Sequence, residues 1–172
     1  DAKKMTENIV KNLDWITNKI YCDSADYKII KKYSKFNFLK GFTTNPSLMR
    51  KAGANDYKSY AKKILQISNK KPVSLEVFAD DYSNMKKQAL KINNWGKNIY
   101  VKIPIINSKG LFMGKVIREL NHQKIKLNIT AVYSSQQVKK ILKSINKRSK
   151  VIISIFAGRA SDTGKDPVPE FI

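Results

Sequence analysis

The sequence predicts an α/β fold: a TIM (β/α)8 barrel of which this chain supplies about six β/α units. Three observations carry that expectation. Six short runs rich in β-branched or aromatic residues recur along the chain, helix-like segments separate them, and nearly every run has a polar residue inside it or just past its end.

The elements follow in order. Residues 1–18 read as a leading helix, with Ile9, Leu13 and Ile16 on one face and Val10 beside them, placed to plug the bottom of a barrel or pack on its side. Ile20-Tyr21-Cys22 is the first strand, closing on Asp23-Ser24, and Phe38 to Phe42 is the second, closing on Thr43-Thr44-Asn45-Pro46. Asn55 to Ser68 is helical, with Tyr57, Tyr60, Ala61, Ile64 and Leu65 on one face, and Asp56 suits its positive end. Strands at Val73–Phe78, Ile99–Pro104, Ile125–Thr130 and Val151–Phe156 follow. They alternate with helices at Ser83–Asn93, Gly110–Leu120 and Ser134–Ile145, the last capped by Ser134 or Ser135. The later strand centres lie about 25 to 35 residues apart, the length of one β-α unit, which implies parallel strands with helical crossovers.

A doubly wound open sheet fits the same rhythm. The polar residues favour the barrel, because Asp23, Asn45, Glu76, Lys102, Asn128, Thr130, Ser154 and Arg159 sit in or after successive strands, and the C-terminal strand ends of a barrel converge on one mouth. No G-x-G-x-x-G or P-loop pattern supports a nucleotide site. With no linker or repeat in view, residues 1–172 are expected to form one domain.

Composition narrows the classes further. One cysteine, Cys22, permits no internal disulfide, and Cys22 and His122 are too few and too far apart for a zinc site, so no metal is expected. No apolar run reaches the length that spans a bilayer, and a soluble, cytoplasmic protein with no membrane association is expected. The net charge of +21 would ordinarily point to nucleic acid. Thirty of the 34 cations are Lys, however, and they are spread along helix faces, whereas base and bidentate phosphate recognition favours Arg. Lys, Asn and Ile, all with A/T-rich codons, make up 66 of the 172 residues, so a compositional skew accounts for the charge without a specific nucleic-acid partner.

Among residues able to do chemistry, Lys102 is the sharpest. Strand alternation turns Tyr100, Lys102 and Pro104 inward and Ile99, Val101 and Ile103 outward. A desolvated ammonium is disfavoured relative to the neutral amine, and a neutral amine attacks carbonyls. The other reading is a stem that packs while its head reaches water, and Lys40 and Lys126 sit in equally apolar runs. Asp23 and Glu76 are acid/base candidates or turn formers, Asn45 and Asn128 hold a substrate hydroxyl or order a turn, and Arg159 is a phosphate clamp or a surface residue. Cys22 reads as a packed small hydrophobe and His122 as a helix-end residue.

Together these segments resemble the transaldolase family. The resemblance rests on Cys22-Asp23-Ser24, Gly41-Phe42-Thr43-Thr44-Asn45-Pro46-Ser47-Leu48, Val73-Ser74-Leu75-Glu76-Val77, Val101-Lys102-Ile103-Pro104, Leu127-Asn128-Ile129-Thr130 and Ile153-Ser154-Ile155-Phe156-Ala157-Gly158-Arg159. It covers roughly residues 20 to 169. It implies a cofactor-free, Schiff-base enzyme of the pentose phosphate pathway. Such an enzyme moves a dihydroxyacetone unit from a ketose phosphate (sedoheptulose 7-phosphate or fructose 6-phosphate) to an aldose phosphate.

By position, the resemblance makes Lys102 the Schiff-base lysine and Asp23 the acid/base for carbon–carbon cleavage. Glu76 and Thr130 hold the water used in making and breaking the imine. Asn45, Asn128 and Ser154 contact the three-carbon unit, and Arg159 binds phosphate. Similar short proteins act as fructose 6-phosphate aldolases and tend to carry Gln at position 76 and Tyr at 156. Glu76 and Phe156 are the transaldolase-like pair, which ranks transfer ahead of aldol cleavage. A homo-oligomer is also expected, of a size the sequence does not specify. Because the family's seventh and eighth strands have no counterpart before Ile172, the chain is expected to be a fragment lacking roughly fifty residues, from two more units at the spacing of the others.

Overall fold

The computed structural model of the chain describes residues 19–146, 149–164, 166 and 169. The leading helix expected over residues 1–18 lies outside them. Six strands run in chain order along the sheet, β1 to β6, with helices between them. The fold class is therefore α/β, about six β/α units of the TIM-barrel type. The chain divides into two compact units, residues 1–73 and 74–172, which are described in turn.

The first unit holds β1 (Ile20–Asp23), α1 (Tyr27–Tyr33), β2 (Leu39–Thr43), α2 (Pro46–Lys51), α3 (Tyr57–Ile67) and the first residue of β3 (Val73–Glu76). Strands β1 and β2 are parallel, with Cys22 opposite Phe42 and Asp23 opposite Thr43. Gly41 is required by a close approach. A Cβ there would collide with the Tyr21 ring and lie 2.7 Å from the Pro72 carbonyl oxygen, which accepts the neighbouring Phe42 N–H. Each helix begins on a short polar side chain: Asp26, Asn45 and Asp56 accept the N–H three residues on, each bond worth about 1 kcal/mol. Asp56 is thus the cap of α3. Ile30, Phe42, Met49, Ala61 and Ile64 form the core of this unit.

The second unit holds the rest of β3, α4 (Tyr82–Asn93), β4 (Ile99–Pro104), α5 (Gly114–His122), β5 (Leu127–Val132), α6 (Ser135–Ser144), β6 (Val151–Ile155) and α7 (Ala157–Ser161). Strands β4, β5 and β6 are parallel neighbours. Ile99, Val101, Ile103, Leu127 and Ile129 are sealed from water, as are Met85 and Ala89 of α4 and Val116, Ile117 and Leu120 of α5. Helix α4 packs on β4 and α5 on β5. Burying each of the larger side chains contributes about 1.5–3 kcal/mol. Ser134 caps α6 in a reciprocal box with Gln137, one of the two serines expected there.

The structure departs from the sequence expectation chiefly in three respects, beyond shifts of one or two residues at other element ends. The helix placed at Gly110–Leu120 starts at Gly114, because residues 105–113 fold back on themselves, with Ile106 bridging Phe112 and Gly110 in a left-handed turn at φ 76°. Helices α1, α2 and α7 were not anticipated; each is seven residues or fewer, too short for periodicity to stand out. Strand β5 starts two residues late, after a left-handed Lys124, and runs on to Val132 through an irregularity. Thr130 and Ala131 together oppose the single Ser154, with Ala131 at φ 59°, a conformation costing a non-glycine residue roughly 1–2 kcal/mol.

Candidate active site

In the second unit, strand alternation brings the polar residues to one face. Lys102 lies opposite Asn128, and Pro104 opposite Thr130. The flanking Val101, Ile103, Leu127 and Ile129 fill the helix-facing core, so Lys102 turns away from it, as the alternation requires. Lys102 is only 8% exposed, and its Nζ lies 3.4 Å from Oε2 of Glu76, at the C-terminal end of β3. The Val77 N–H donates to the Lys102 carbonyl, tying the two strand ends together beside the charged pair. A carboxylate at this distance is within reach of a proton on the amine through a small shift or one water.

Asn128 has both ends of its carboxamide engaged. Its Nδ2 donates to Ser74 Oγ at 3.0 Å, and its Oδ1 accepts from Ser154 Oγ at 2.7 Å. One row of hydrogen bonds therefore links β3, β5 and β6 and fixes which way the amide faces, leaving one N–H and one lone pair for a ligand. Thr130 is 2% exposed, and its Oγ1 has no hydrogen-bond partner among the described residues. A buried hydroxyl without a partner costs about 1–3 kcal/mol, a penalty typical of groups kept for a ligand or a bound water.

Past β6 the apolar edge of the site takes shape. The half-buried Phe156 ring meets Tyr133 edge to face at 5.6 Å, and the Arg159 guanidinium lies 5.5 Å from the Phe156 ring centre. Arg159 is exposed, held over an aromatic face and able to turn toward an anion.

In the first unit, Asp23 closes β1 and accepts the Thr43 hydroxyl at 2.8 Å from the adjacent strand. That single bond leaves most of the carboxylate's accepting capacity open to other donors. Asn45 uses its side-chain oxygen to cap α2, 2.8 Å from the Leu48 nitrogen, so the turn-ordering role read from Asn45-Pro46 is real. Its amide N–H2 is not part of the cap. Cys22 is half-buried, and burial, with the Asp23 charge second, pushes its thiol up, as befits an unreactive packing residue.

The structure thus joins Lys102 with Glu76, Asn128 with Ser154, and Phe156 with Arg159, puts Thr130 on the Lys102 face, and gives Asp23 and Asn45 local partners. Two residues escaped the sequence reading. Ser74 lies two positions before Glu76, so period-two alternation was a signal for it; Tyr133 lies beyond the bulge in β5, where the alternation breaks. Among the described residues there is no cluster of three His, Cys, Asp or Glu side chains able to hold a metal, and no helix long and apolar enough to cross a membrane.

Comparison with known proteins gives the family context. A family model described as Transaldolase/Fructose-6-phosphate aldolase matches residues 20–170. Proteins named "Probable transaldolase" are similar over most of the chain. The one from Dehalococcoides mccartyi is 35% identical over 148 residues, 86% of this chain and 65% of that protein. The one from Nitrosopumilus maritimus is 37% identical over 148 residues, 86% and 62%. The one from Clostridium kluyveri is 34% identical over 150 residues, 87% and 65%. The chain spans less than two thirds of the length of these relatives.

Proposed function

The chain belongs to the Transaldolase/Fructose-6-phosphate aldolase family, and on that premise we propose that the protein moves a dihydroxyacetone unit between sugar phosphates through an imine on Lys102. The observation that carries the reading is the inward-facing amine of Lys102, 8% exposed and 3.4 Å from a carboxylate.

The neutral amine attacks C2 of the ketose phosphate, and loss of water leaves an iminium. Glu76 takes up and returns the protons of this step, with the Thr130 hydroxyl holding the water that leaves and later returns. Asp23 removes the C4 hydroxyl proton, the C3–C4 bond breaks, and the aldose phosphate departs. The electron pair is held as an enamine, because the iminium nitrogen accepts it. The enamine attacks the incoming aldehyde, Asp23 returns the proton, and water releases the new ketose phosphate. Asn45, Asn128 and Ser154 hold the hydroxyls of the three-carbon unit, and Arg159 takes the phosphate. No cofactor takes part. Residues 1–172 supply about six β/α units of a single barrel domain in a homo-oligomeric cytoplasmic protein of the pentose phosphate pathway, with no membrane or specific nucleic-acid partner.

Phe156 supports transfer over simple aldol cleavage, since an apolar ring beside the enamine offers no hydroxyl to protonate it. Borohydride with fructose 6-phosphate is expected to add a stable mass at Lys102 alone; an adduct at Lys40 or Lys126, or none, refutes the assignment. Glyceraldehyde 3-phosphate is expected only when erythrose 4-phosphate is supplied, and its release without an acceptor would make the protein a fructose 6-phosphate aldolase. Nucleic-acid binding that survives near-physiological salt would revive the basic-protein reading.

A further inference from the structure

The irregularity in β5 falls beside the candidate chemistry. Asn128 and Thr130 share a face with Lys102, and strict alternation would put Val132 there too. Instead, Val132 pairs with Ile155, which has the parity of Ile153 and so of its partner Ile129 in the helix-facing core. Val132 is sealed from water, and its carbonyl accepts the Phe156 N–H at 2.8 Å. The reversal is accomplished at Ala131, the one strand residue with positive φ among the described residues. On the other side of β5 the ladder is undisturbed up to Thr130, whose carbonyl accepts the Ile105 N–H at 3.0 Å. Thr130 is thus the last regular residue of the strand, and its unpartnered hydroxyl is the side chain next to the bulge.

We propose that Ala131 is a positioning residue for the reaction: its left-handed backbone absorbs the extra residue, holding the Thr130 hydroxyl on the Lys102 face while the chain turns Val132 outward and Tyr133 toward Phe156. This rests on the imine reading above. Bulges of this kind re-aim a neighbouring side chain, and here the neighbour is a buried hydroxyl that no hydrogen bond among the described residues orients.

The test uses the whole protein and four substitutions: Ala131→Gly and Ala131→Asn, which accept the left-handed conformation; Ala131→Val, whose branched Cβ resists it; and Thr130→Ala. The readouts are the single-turnover rate of borohydride-trappable imine formation at Lys102, KM for fructose 6-phosphate, and thermal midpoint. Gly and Asn at 131 are expected to keep the imine rate within twofold, with Gly equal or higher in thermal midpoint. Val is expected to slow imine formation at least tenfold with KM within threefold, and to add no further slowing in the Thr130→Ala background. A purely structural role would lower the thermal midpoint without that selective loss of rate. The inference is overturned if Ala131→Val traps at the parent rate, if its effect multiplies with that of Thr130→Ala, or, should the Val variant not fold, if Ala131→Asn slows imine formation tenfold. Absence of any adduct in the parent protein overturns the imine reading and this inference with it; a normal parent adduct with an unaffected Val variant overturns this inference alone.

Discussion

Two lysines of the second unit, on or beside neighbouring strands, meet opposite kinds of partner. Lys126, just before β5, sends its ammonium to the Lys97 carbonyl in the loop before β4 and lies over the Tyr100 ring at 5.5 Å. Lys102, well along β4, points instead at a carboxylate on β3. The first ammonium meets a neutral acceptor that cannot take its proton, and so can only fasten. The second meets a group of opposite charge, one of a kind able to accept a proton. The same arrangement of fasteners recurs at other strand entrances: Lys71 bonds the Phe36 and Leu39 carbonyls, and Ser149 bonds that of Ile125. These strand entrances are tied by donors to backbone carbonyls, whereas the ion pair of Lys102 with Glu76 lies further along β4 and at the far end of β3.

Replacing Lys102 by Met tests the contrast most severely. Turnover is expected to fall by about 10³-fold or more, the scale of losing a nucleophile, with no borohydride adduct. Next comes Glu76→Gln, which keeps the shape and removes the proton acceptor. It is expected to slow imine formation about 100-fold while leaving fructose 6-phosphate binding nearly unchanged, a split visible by comparing single-turnover rates with KM. Lys126→Met should show the smallest effect: activity within twofold, and stability lower by roughly 1 kcal/mol by denaturant titration.

That last variant also carries a pH signature. Burial pushes the Lys126 ammonium below its usual range, with the Lys150 charge second. In the alkaline window between the lowered folded value and the usual value of 10.5, the unfolded chain binds more protons than the folded one, so stability gains from this group as pH rises. The parent's thermal midpoint is therefore expected to gain on that of Lys126→Met across that window, and a difference independent of pH would show that the ammonium is not strained by burial.

The contrast also explains what sequence reading could and could not see. Lys40, Lys102 and Lys126 sit in equally apolar runs, and local pattern ranks none above the others. Lys40 turns out to be exposed, bonded to the nearby Asn37 carbonyl, and only the alternation inside Ile99–Pro104, a strand whose ends the pattern placed correctly, singles out Lys102. Period-two patterning thus located the strands, and turn chemistry narrowed the cap of α6 to Ser134 or Ser135, whereas Asp56, read as an early residue at the positive end of its helix, is the cap itself. The loop that delays α5 to Gly114 was invisible because the Asp80 carboxylate, which accepts the Ser108 N–H and hydroxyl, is 28 residues away in sequence, and the short Ile106–Phe112 bridge has no periodic signature. The Ala131 bulge was hidden for a related reason: alanine carries no sign of a left-handed backbone, whereas glycine would have.

The two asparagines assigned to the three-carbon unit are also guarded against chemical ageing. Asparagine deamidates when the next backbone nitrogen attacks its own side-chain carbonyl to close a five-membered imide. Asn45 is followed by Pro46, whose nitrogen has no hydrogen and is closed to that attack. Asn128 lies inside β5 with its amide clasped by Ser74 and Ser154, so the ring cannot close without breaking both bonds and leaving the extended backbone. On prolonged storage, charge variants from deamidation should therefore accumulate at exposed asparagines such as Asn37 while these two positions stay intact.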